Sequence, residues 1–315
     1  MSITVIIVNF NSGGLLCRCL DHLRRQSVPP QRICIVDNAS TDGSACIADL
    51  SENEILIPMP VNAGFAAGNN RALRECTTEY VALLNPDAFP EPDWLENLLI
   101  AAQTHPDVAA FGSRQVCDEN PNMLDGIGDV YHISGIAWRK GYGRRQESGD
   151  LIPREIFSPC AAAALYRREA LNAIGGFDED FFCYFEDVDL GFRLRLAGYK
   201  ALYVPDAVVR HVGSATTGGQ RSAFSVYHGH RNMVWSYVKN MPGILFWVFL
   251  PFHGLVNLLG IIVYLFRGHF KTLLRSKKDA LSGLGKMWEK RKVIQRSRSA
   301  TLMDIWKALN CRYRM

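Results

Sequence analysis

Two adjacent carboxylates, Glu186 and Asp187, stand where an aromatic run ends and a helical pattern begins. Leu190 and Leu194 recur at helical spacing, and Gly198 is a residue type that commonly ends a helix. Asp187 is therefore expected at or next to a helix N-terminus, where exposed amides and the helix dipole favour an ionised carboxylate. Such a carboxylate can act as a general base toward a hydroxyl within hydrogen-bond reach. Helix capping is the structural alternative for both residues.

The first half of the chain alternates short apolar strands with helical stripes. Strands are expected at residues 3–8, 33–36, 54–57, 80–84 and 108–111, and helices at 15–26, from the 62–71 loop to about 76, and at 94–104. Strand–helix repetition with short loops predicts a parallel, doubly wound sheet flanked by helices. The expected fold class is therefore α/β, with a Rossmann-like sheet.

Polar residues follow three of these strands, at the edge where parallel α/β sheets bind ligands. They are Asn9 and Asn11, Asp37 and Asn38, and Asn85 and Asp87. Each cluster alone is typical of a turn, but their shared edge indicates a site. The chain has no GxGxxG after the first strand and no P-loop, which disfavours a dinucleotide-dependent oxidoreductase and a P-loop NTPase.

The segment Asn85-Pro86-Asp87 has chemistry of its own. A carboxylate at a strand end, next to a rigid proline, can bind a divalent ion that bridges diphosphate oxygens. The ion then neutralises charge on a leaving nucleoside diphosphate. An ordinary turn is the alternative.

Composition and cysteine usage set the broad class. With 315 residues, 48% of them apolar and 21% charged, the chain is long enough for one large domain and an appendage. Its nine cysteines include no CxxC pair. Several of them, such as Cys34 and Cys160, lie in apolar runs that are typical of buried free thiols in a reducing compartment. No signal peptide is recognisable at the start of this sequence, so a cytoplasmic location is expected.

Residues 244–266 form an apolar segment with no charged residue apart from a titratable histidine, His253. Its length suits a bilayer, but Pro251, Gly254 and Asn257 interrupt it. Eleven lysines and arginines follow between residues 267 and 298, and a single span would export them against the positive-inside tendency. We therefore expect a bent, in-plane or re-entrant hairpin with the basic tail on anionic lipid; a true span and a buried core helix are the alternatives. No nucleic-acid module is recognisable.

Seven motifs in order make residues 3–235 resemble glycosyltransferase family 2, which has the GT-A fold. They occupy residues 8–11, 36–43, 62–70, 85–87, 175–178, 186–190 and 211–214. Within the family the chain most resembles bacterial rhamnosyltransferase-type enzymes that build cell-surface polysaccharides. The resemblance implies an inverting, metal-dependent transferase.

The resemblance also implies roles for individual residues. Asp187 matches the catalytic base, with Glu186 and Asp178 on the acceptor side. Asp87 and His211 match the ligands of Mg²⁺ or Mn²⁺; because Asn85 replaces the first aspartate of the family's DxD motif, Asp87 is expected to carry most of the metal binding. The donor nucleotide is assigned to Val8, Asn9, Asn11, Asp37, Asn38, Asn62, Gly64, Asn69 and Asn85.

The predicted function is transfer of a sugar, with rhamnose from dTDP-rhamnose as the first guess, to a polyprenyl-linked saccharide. The expected place is the cytoplasmic face of the bacterial inner membrane, with peripheral or monotopic attachment. The expected domains are a GT-A domain (1–240, with a nucleotide half 1–112 and an acceptor half 113–240) and a helical membrane-associated region (241–315). A UDP-hexose donor, a nucleotidyltransferase and a non-catalytic nucleotide-sugar binding protein are the alternatives.

Two further segments remain open in the sequence. The stretch from Gly112 to Pro153 is either an insert that borders the donor or acceptor, or a mobile surface loop. Arg221, His228 and Arg231 follow His211 and are candidates for phosphate contacts or for a solvated face.

Overall fold

The computed structural model describes residues 1–45, 50–213 and 222–312, and a ten-stranded sheet forms its centre. The strands are β1 Ile3–Asn9, β2 Arg32–Asp37, β3 Glu54–Pro58, β4 Tyr80–Leu84, β5 Ala88–Pro90, β6 Val108–Cys117, β7 Leu124–Gly126, β8 Asp129–Tyr131, β9 Ala137–Arg139, β10 Arg154–Ile156, β11 Ala163–Arg167 and β12 Lys200–His211. The α-helices are α1 Leu15–Arg24, α2 Gly64–Leu73, α3 Trp94–Thr104, α4 Arg168–Ala173, α5 Glu186–Leu196, α6 Ala223–Asn240, α7 Gly243–Arg267, α8 Phe270–Ser282, α9 Leu284–Arg296 and α10 Leu302–Ala308.

The main path of the sheet runs β3, β2, β1, β4, β11, β6, β12, β10. β1 pairs in parallel with β2 and β4, and β2 pairs in parallel with β3. β11 is antiparallel to β4 and β6, whereas β12 is parallel to β6. The predicted α/β fold with a parallel first half is confirmed, and the later strands make the complete sheet mixed.

Helices cover both faces of the sheet, which is why its central strands are apolar along their whole length. Leu16 and Leu20 of α1 pack with Trp94 of α3 on one face. Leu190 and Leu194 of α5 pack on the other face. This sandwich leaves the carboxyl ends of β1, β2 and β4 open along one edge.

The segment from Gly112 to Pro153 is folded. It contains the end of β6, the three short strands β7 to β9 and a 3-10 turn at Ser148–Leu151. Strands of three residues are too short to give an alternating pattern, and the sequence therefore showed none. Trp138 and Arg139 of β9 line the cavity described below, which favours the insert over the surface loop.

Helix α5 begins at Glu186, as the sequence predicts. Its N-cap position is occupied by Phe185 at φ +67°, and neither Glu186 nor Asp187 stands there. Gly198 adopts φ +91° after the last turn, and its N–H donates to the carbonyl of Arg195. Glycine is favoured at this position because other residues are strained at positive φ.

Helix α7 is one continuous helix of 25 residues that contains Pro251. The predicted hairpin is wrong, because Pro251 removes a single backbone hydrogen bond and the apolar turns on both sides continue the helix. Phe246, Phe249 and His253 are buried against the protein, whereas most of the remaining surface of α7 is exposed and apolar. Among the residues described, α7 is the one helix whose length and composition suit a membrane span.

The polar residues of α7 face the protein. His253 stacks on Tyr237 of α6 at 4.1 Å, and its Nδ1 lies 2.7 Å from the carbonyl oxygen of Ser134. Asn257 accepts a hydrogen bond from Lys277 of α8 at 2.5 Å. One side of α7 is therefore packed against the rest of the protein, and the opposite, apolar side of the helix is exposed.

A buried ion triad joins α6 to the segment that precedes α5. Lys239 is 1% exposed, and its Nζ lies 2.5 Å from Asp178 and 2.7 Å from Asp189. Burial alone would raise the pKa of Asp178, but Lys239 and Lys290 hold it well below its ordinary value. The triad fixes the C-terminal helices against α5.

We expect Lys239→Met to lower the free energy of unfolding by about 3 kcal/mol, because two buried carboxylates lose one of their cations. Asp178 keeps Lys290, and Asp189 keeps Arg193. Chemical denaturation measures this loss. Lys200→Met is the matched control: its ammonium pairs with Asp107 at the surface, and the unfolding midpoint should not move. Equal midpoints for Lys239→Met and wild type would contradict the role of the triad.

Candidate active site

A cavity of about 540 Å³ opens at the edge where β1, β2 and β4 end. The predicted site residues that line it are Val8, Asn38, Asn62, Gly64, Asn85, Asp87, Glu186, Asp187 and His211. The predicted residues that do not line it are Asn9, Asn11, Asp37, Asn69 and Asp178. The sequence motifs thus converge on one cavity, but part of the predicted donor set does not line it.

Asn9 and Asp37 form a buried layer under the loops that follow β1 and β2. The Asn9 amide donates to Asp37 at 2.9 Å and to Ser44 at 3.0 Å, and the second Asp37 oxygen accepts from the backbone N–H of Ser40. Asp37 is only 7% exposed. In this structure its carboxylate supports the loops and does not line the cavity, so its contact with the nucleotide stays a prediction.

Asn11 and Asn69 also make structural contacts. Asn11 adopts φ +48° and accepts a hydrogen bond from the N–H of Thr41, which ties the two loops together. Asn69 is 1% exposed and donates to the carbonyl of Phe65, one turn earlier in α2. A side chain turned back onto its own helix is not directed at a donor.

The loop from Asn62 to Gly64 is held at the cavity by Asn38. The Asn38 side chain donates to the carbonyl of Gly64 and accepts from the N–H of Ala63, at 3.1 and 2.9 Å. Gly64 adopts φ +89°, and a Cβ there would lie 2.5 Å from the carbonyl oxygen of Phe182. Glycine is therefore required where the donor loop meets the aromatic segment that precedes α5.

Asp87 and His211 form a second wall of the cavity. His211 Nε2 lies 3.2 Å from Asp87 Oδ1, and its Nδ1 lies 2.8 Å from Asp125. Burial would lower the pKa of His211, but hydrogen bonds to Asp125 and Asp87 outweigh it and raise that pKa to about 9. A carboxylate that fixes the far nitrogen of a histidine is the usual support of a metal ligand, and His211 would have to release its Nε2 proton to bind a metal.

The donor set of this wall fits a hard divalent cation. Asp87 supplies a carboxylate, His211 an imidazole and Asn85 a neutral amide. In the described ranges no three His, Cys, Asp or Glu side chains form a complete metal cluster. The protein therefore supplies only part of a coordination shell, and substrate oxygens would have to complete it.

Asp187 is the second residue of α5 and lines the same cavity as the donor loop. Its oxygens accept from the backbone N–H groups of Val188 at 2.8 Å and Ala161 at 3.2 Å. Burial raises the pKa of Asp187, although these amides favour the ionised form. A carboxylate with this environment can accept a proton from a bound hydroxyl.

Glu186 and Asp178, predicted together on the acceptor side, have different surroundings. Glu186 is 7% exposed and lines the cavity, and its Oε2 has no hydrogen-bond partner within the described part of the chain. Burial and the neighbouring charge of Asp187 raise its pKa well above the ordinary value. Asp178 does not line the cavity, because Lys239 and Lys290 hold it between the helices. The structure therefore gives no support to its predicted acceptor contact.

Three cavity-side residues were missed by sequence reasoning. Asp125 supports His211, and Arg139 pairs with Asp125. Asp129 lines the cavity and accepts from Ser158 at 3.1 Å; burial and the charge of Asp187 raise its pKa well above the ordinary value. The acidic pair in Asp125-Gly-Ile-Gly-Asp129 was the available signal, but it lies in strands too short to recognise.

The segment 182–185 joins the cavity to α6. Phe182, Tyr184 and Phe185 all adopt positive φ, which costs energy for residues with side chains. The buried amide of Asn232 holds the segment by donating to three carbonyls, those of Phe181, Cys183 and Tyr184, at 2.7 to 3.0 Å. Asn232 lies about fifty residues away in sequence, and no local pattern marks it.

Three residues were candidates for phosphate contacts, namely Arg221, His228 and Arg231, and the structure describes two of them. Arg231 donates to the carbonyls of Asp180 and Phe181, and His228 stacks on Phe182 at 5.1 Å. Arg221 and Ser214, the last residue of the 211–214 motif, lie outside the described residues.

Comparisons with known proteins agree with this geometry. Residues 4–175 match the family described as Glycosyl transferase family 2. An N-acetylglucosaminyl-diphospho-decaprenol L-rhamnosyltransferase of Mycobacterium tuberculosis is 29% identical over 252 residues, which cover 71% of this chain and 80% of the relative. The O-antigen chain rhamnosyltransferase WbaN of Salmonella anatum is 29% identical over 215 residues, which cover 67% and 66% of the two chains.

A solved structure extends the likeness to nearly the whole chain. The mannosyltransferase PcManGT from Pyrobaculum calidifontis, in complex with GDP-Man and Mn²⁺, superposes with a TM-score of 0.54 at 20% identity. The match covers 97% of this chain and 86% of that one, and it confirms the GT-A fold. The matched family covers more than half of the sequence and includes the loops that build the donor side of the cavity. The chain therefore belongs to glycosyltransferase family 2.

Proposed function

We propose that this glycosyltransferase moves a rhamnosyl group from dTDP-rhamnose to a lipid-linked saccharide, with inversion at the anomeric carbon. The observation that carries the proposal is that one cavity contains both a buried carboxylate suited to be a base, Asp187, and the Asp87–His211 pair. Both the mycobacterial and the Salmonella relatives are rhamnosyltransferases, which supports rhamnose as the donor sugar. The decaprenol-linked acceptor of the mycobacterial enzyme supports a lipid-linked acceptor.

The donor side of the cavity is proposed to hold the nucleotide diphosphate. Val8 and Asn38 line it after β1 and β2, and Asn62 and Gly64 line the loop beside them. Asp87 and His211 would bind Mg²⁺ or Mn²⁺, which when bound offsets the negative charge that develops on the leaving diphosphate. The Mn²⁺ in the archaeal mannosyltransferase of the same fold supports this choice.

Asp187 is proposed to be the general base on the acceptor side of the cavity. An acceptor hydroxyl donates its proton to the Asp187 carboxylate while its oxygen attacks the anomeric carbon of the donor. The carbon–oxygen bond to the diphosphate breaks, a glycosidic bond forms, and the proton remains on Asp187 until it passes to solvent. Attack from the side opposite the leaving group inverts the anomeric configuration.

The apolar side of α7 is proposed to lie in the surface of a membrane. It exposes large side chains along its whole length, among them Trp247, Phe252 and Leu258. Because Phe246, Phe249 and His253 attach the helix to the body, an in-plane position is consistent with the fold, whereas a span would require this stripe to detach. The basic residues that follow can contact anionic lipid, which supports residues 241–315 as a membrane-associated region.

Replacement of Asp187 tests the proposed base. We expect Asp187→Asn to lower kcat about 10²- to 10⁴-fold, the range of a general base, while the affinity for dTDP stays unchanged. Nucleotide release in the presence of acceptor and calorimetric titration of dTDP measure the two quantities. Asp107→Asn, at the surface, is the control and should behave as wild type. Equal turnover by Asp187→Asn would rule out Asp187 as the base, whereas dTDP binding without turnover by wild type would favour a non-catalytic binding protein.

The pH dependence of turnover tests the same carboxylate. Asp187 must be ionised to accept a proton, and burial raises its pKa above the ordinary aspartate value of 3.8. The value of kcat/KM should therefore fall as the pH drops through that raised pKa. The residual rate of Asp187→Asn should lack this acid limb; an identical limb in the variant would assign the titration to another group.

Charges on the outer side of α7 test membrane binding. The double variant Leu255→Lys, Leu258→Lys alters two exposed residues and should reduce binding to zwitterionic vesicles at least tenfold, because two leucines no longer enter the apolar layer. Vesicle cosedimentation measures the loss. Ile100→Lys, on the exposed side of α3, is the matched control and should bind as wild type. Unchanged binding by the double variant would refute the proposed orientation.

A further inference from the structure

Four aromatic side chains form an edge between the cavity and α6, which we call the aromatic edge: Phe182, Tyr184, Phe224 and His228. Phe182 stacks on His228 with ring centroids 5.1 Å apart, and Phe224 contacts His228 at 4.5 Å and Tyr184 at 6.1 Å. Phe182, Tyr184 and Phe224 line the cavity. Phe224 is 38% exposed, so part of the edge is open to a ligand.

We propose that a pyranose ring of the acceptor saccharide stacks on the aromatic edge and donates a hydroxyl hydrogen bond to Glu186. This inference rests on the proposed function and names the acceptor subsite that the function requires. It adds Phe224 and His228, which no sequence motif of the family marks in this chain.

Glu186 is the independent sign of a ligand. Its side chain is more than nine-tenths buried and lines the cavity, and its Oε2 has no hydrogen-bond partner in the described parts of the chain. A buried polar atom in this state costs free energy unless a ligand satisfies it. Glu186 is also next to Asp187, so a sugar held by Glu186 brings a neighbouring hydroxyl toward the proposed base.

The aromatic edge is held in place before any ligand binds. Phe182 has φ +63° and ψ −68°, a strained turn conformation. Asn232 fixes the backbone around it through the carbonyls of Phe181 and Cys183. A strained segment that is rigidly held next to a cavity is typical of a binding site that is organised in advance.

The chemistry of the edge suits a neutral sugar better than a phosphate. Burial and the nearby guanidinium of Arg231 lower the pKa of His228 to about 4, so its ring is uncharged at neutral pH. Arg231 itself is engaged by the carbonyls of Asp180 and Phe181. The exposed surface is therefore aromatic and uncharged, with the carboxyl group of Glu186 beside it.

The course of α6 and α7 explains how a lipid-linked sugar would arrive there. Tyr237, late in α6, stacks on His253 of α7, whereas His230, earlier in α6, contacts Tyr264, later in α7. The two helices are therefore antiparallel, and the end of α7 lies beside the start of α6. Phe224 is six residues before His230, about 9 Å along the helix. A saccharide attached to lipid at the surface of α7 would meet the aromatic edge first.

Binding of an acceptor probe, measured without turnover, tests the proposal. The probe is N-acetylglucosaminyl diphosphate on a short prenyl chain, titrated calorimetrically into the full chain with dTDP present. Phe224→Leu keeps the apolar volume but removes the ring, and we expect it to weaken probe binding roughly three- to tenfold, as loss of a stacking contact does. Phe224→Trp should bind within twofold of wild type.

Tyr142→Leu is the matched control, since it removes an exposed aromatic ring that lies outside the cavity lining and away from α7, and it should leave probe binding unchanged. The proposal is overturned if Phe224→Leu binds as wild type, if wild type shows no saturable binding, or if prenyl diphosphate without sugar shows the same dependence on Phe224. Ring-dependent binding by a wild-type protein that transfers no sugar would contradict the proposed function and leave this subsite standing.

Discussion

The structure depends on how α6 holds the segment between residues 178 and 189. The Asn232 amide satisfies three carbonyls of a segment whose backbone is strained, and Lys239 joins Asp178 to Asp189 in a buried triad. Both contacts join residues that are distant in sequence, and both are buried. Each therefore contributes far less to stability if one partner moves, because the other partner is left buried and unpaired. Together they set the direction in which α5 begins, and therefore the position of Asp187.

This constraint connects the two sides of the cavity. The carbonyl of Phe182 accepts from the N–H of Ala66 in α2, and Gly64 allows the two backbones to approach. The donor loop and the segment that carries the proposed base thus share one contact. The C-terminal helices belong to the same unit, because the apolar core around Trp235 of α6 includes Phe192 of α5 and Met287 of α9. The membrane contact proposed for α7 would therefore be made by the same packed unit that positions Asp187.

The sequence predicts those structural features that depend on patterns within a few consecutive residues. Continuous apolar strands, the start of α5 at Glu186 and its end at Gly198 were predicted correctly, because periodicity and glycine preference act over a few residues. Family motifs located Asp87, Asp187 and His211 at one cavity. Asp125 and Asp129 were missed because three-residue strands carry no periodic signal. Asn232 and the pairing of Asp178 with Lys239 depend on contacts between distant segments, and the side-chain directions of Asp37 and Asn69 depend on packing that no spacing rule records.

The most direct test of the account follows the bonds that break and form. Purified protein would be incubated with dTDP-rhamnose, a divalent cation and a prenyl-diphospho-saccharide, and NMR would record released nucleotide and the anomeric configuration of the product. The account predicts one nucleotide released for each glycosidic bond formed, and a product whose anomeric configuration is opposite to that of the donor. A product that retains the donor configuration, or nucleotide release that does not depend on the acceptor, would contradict it.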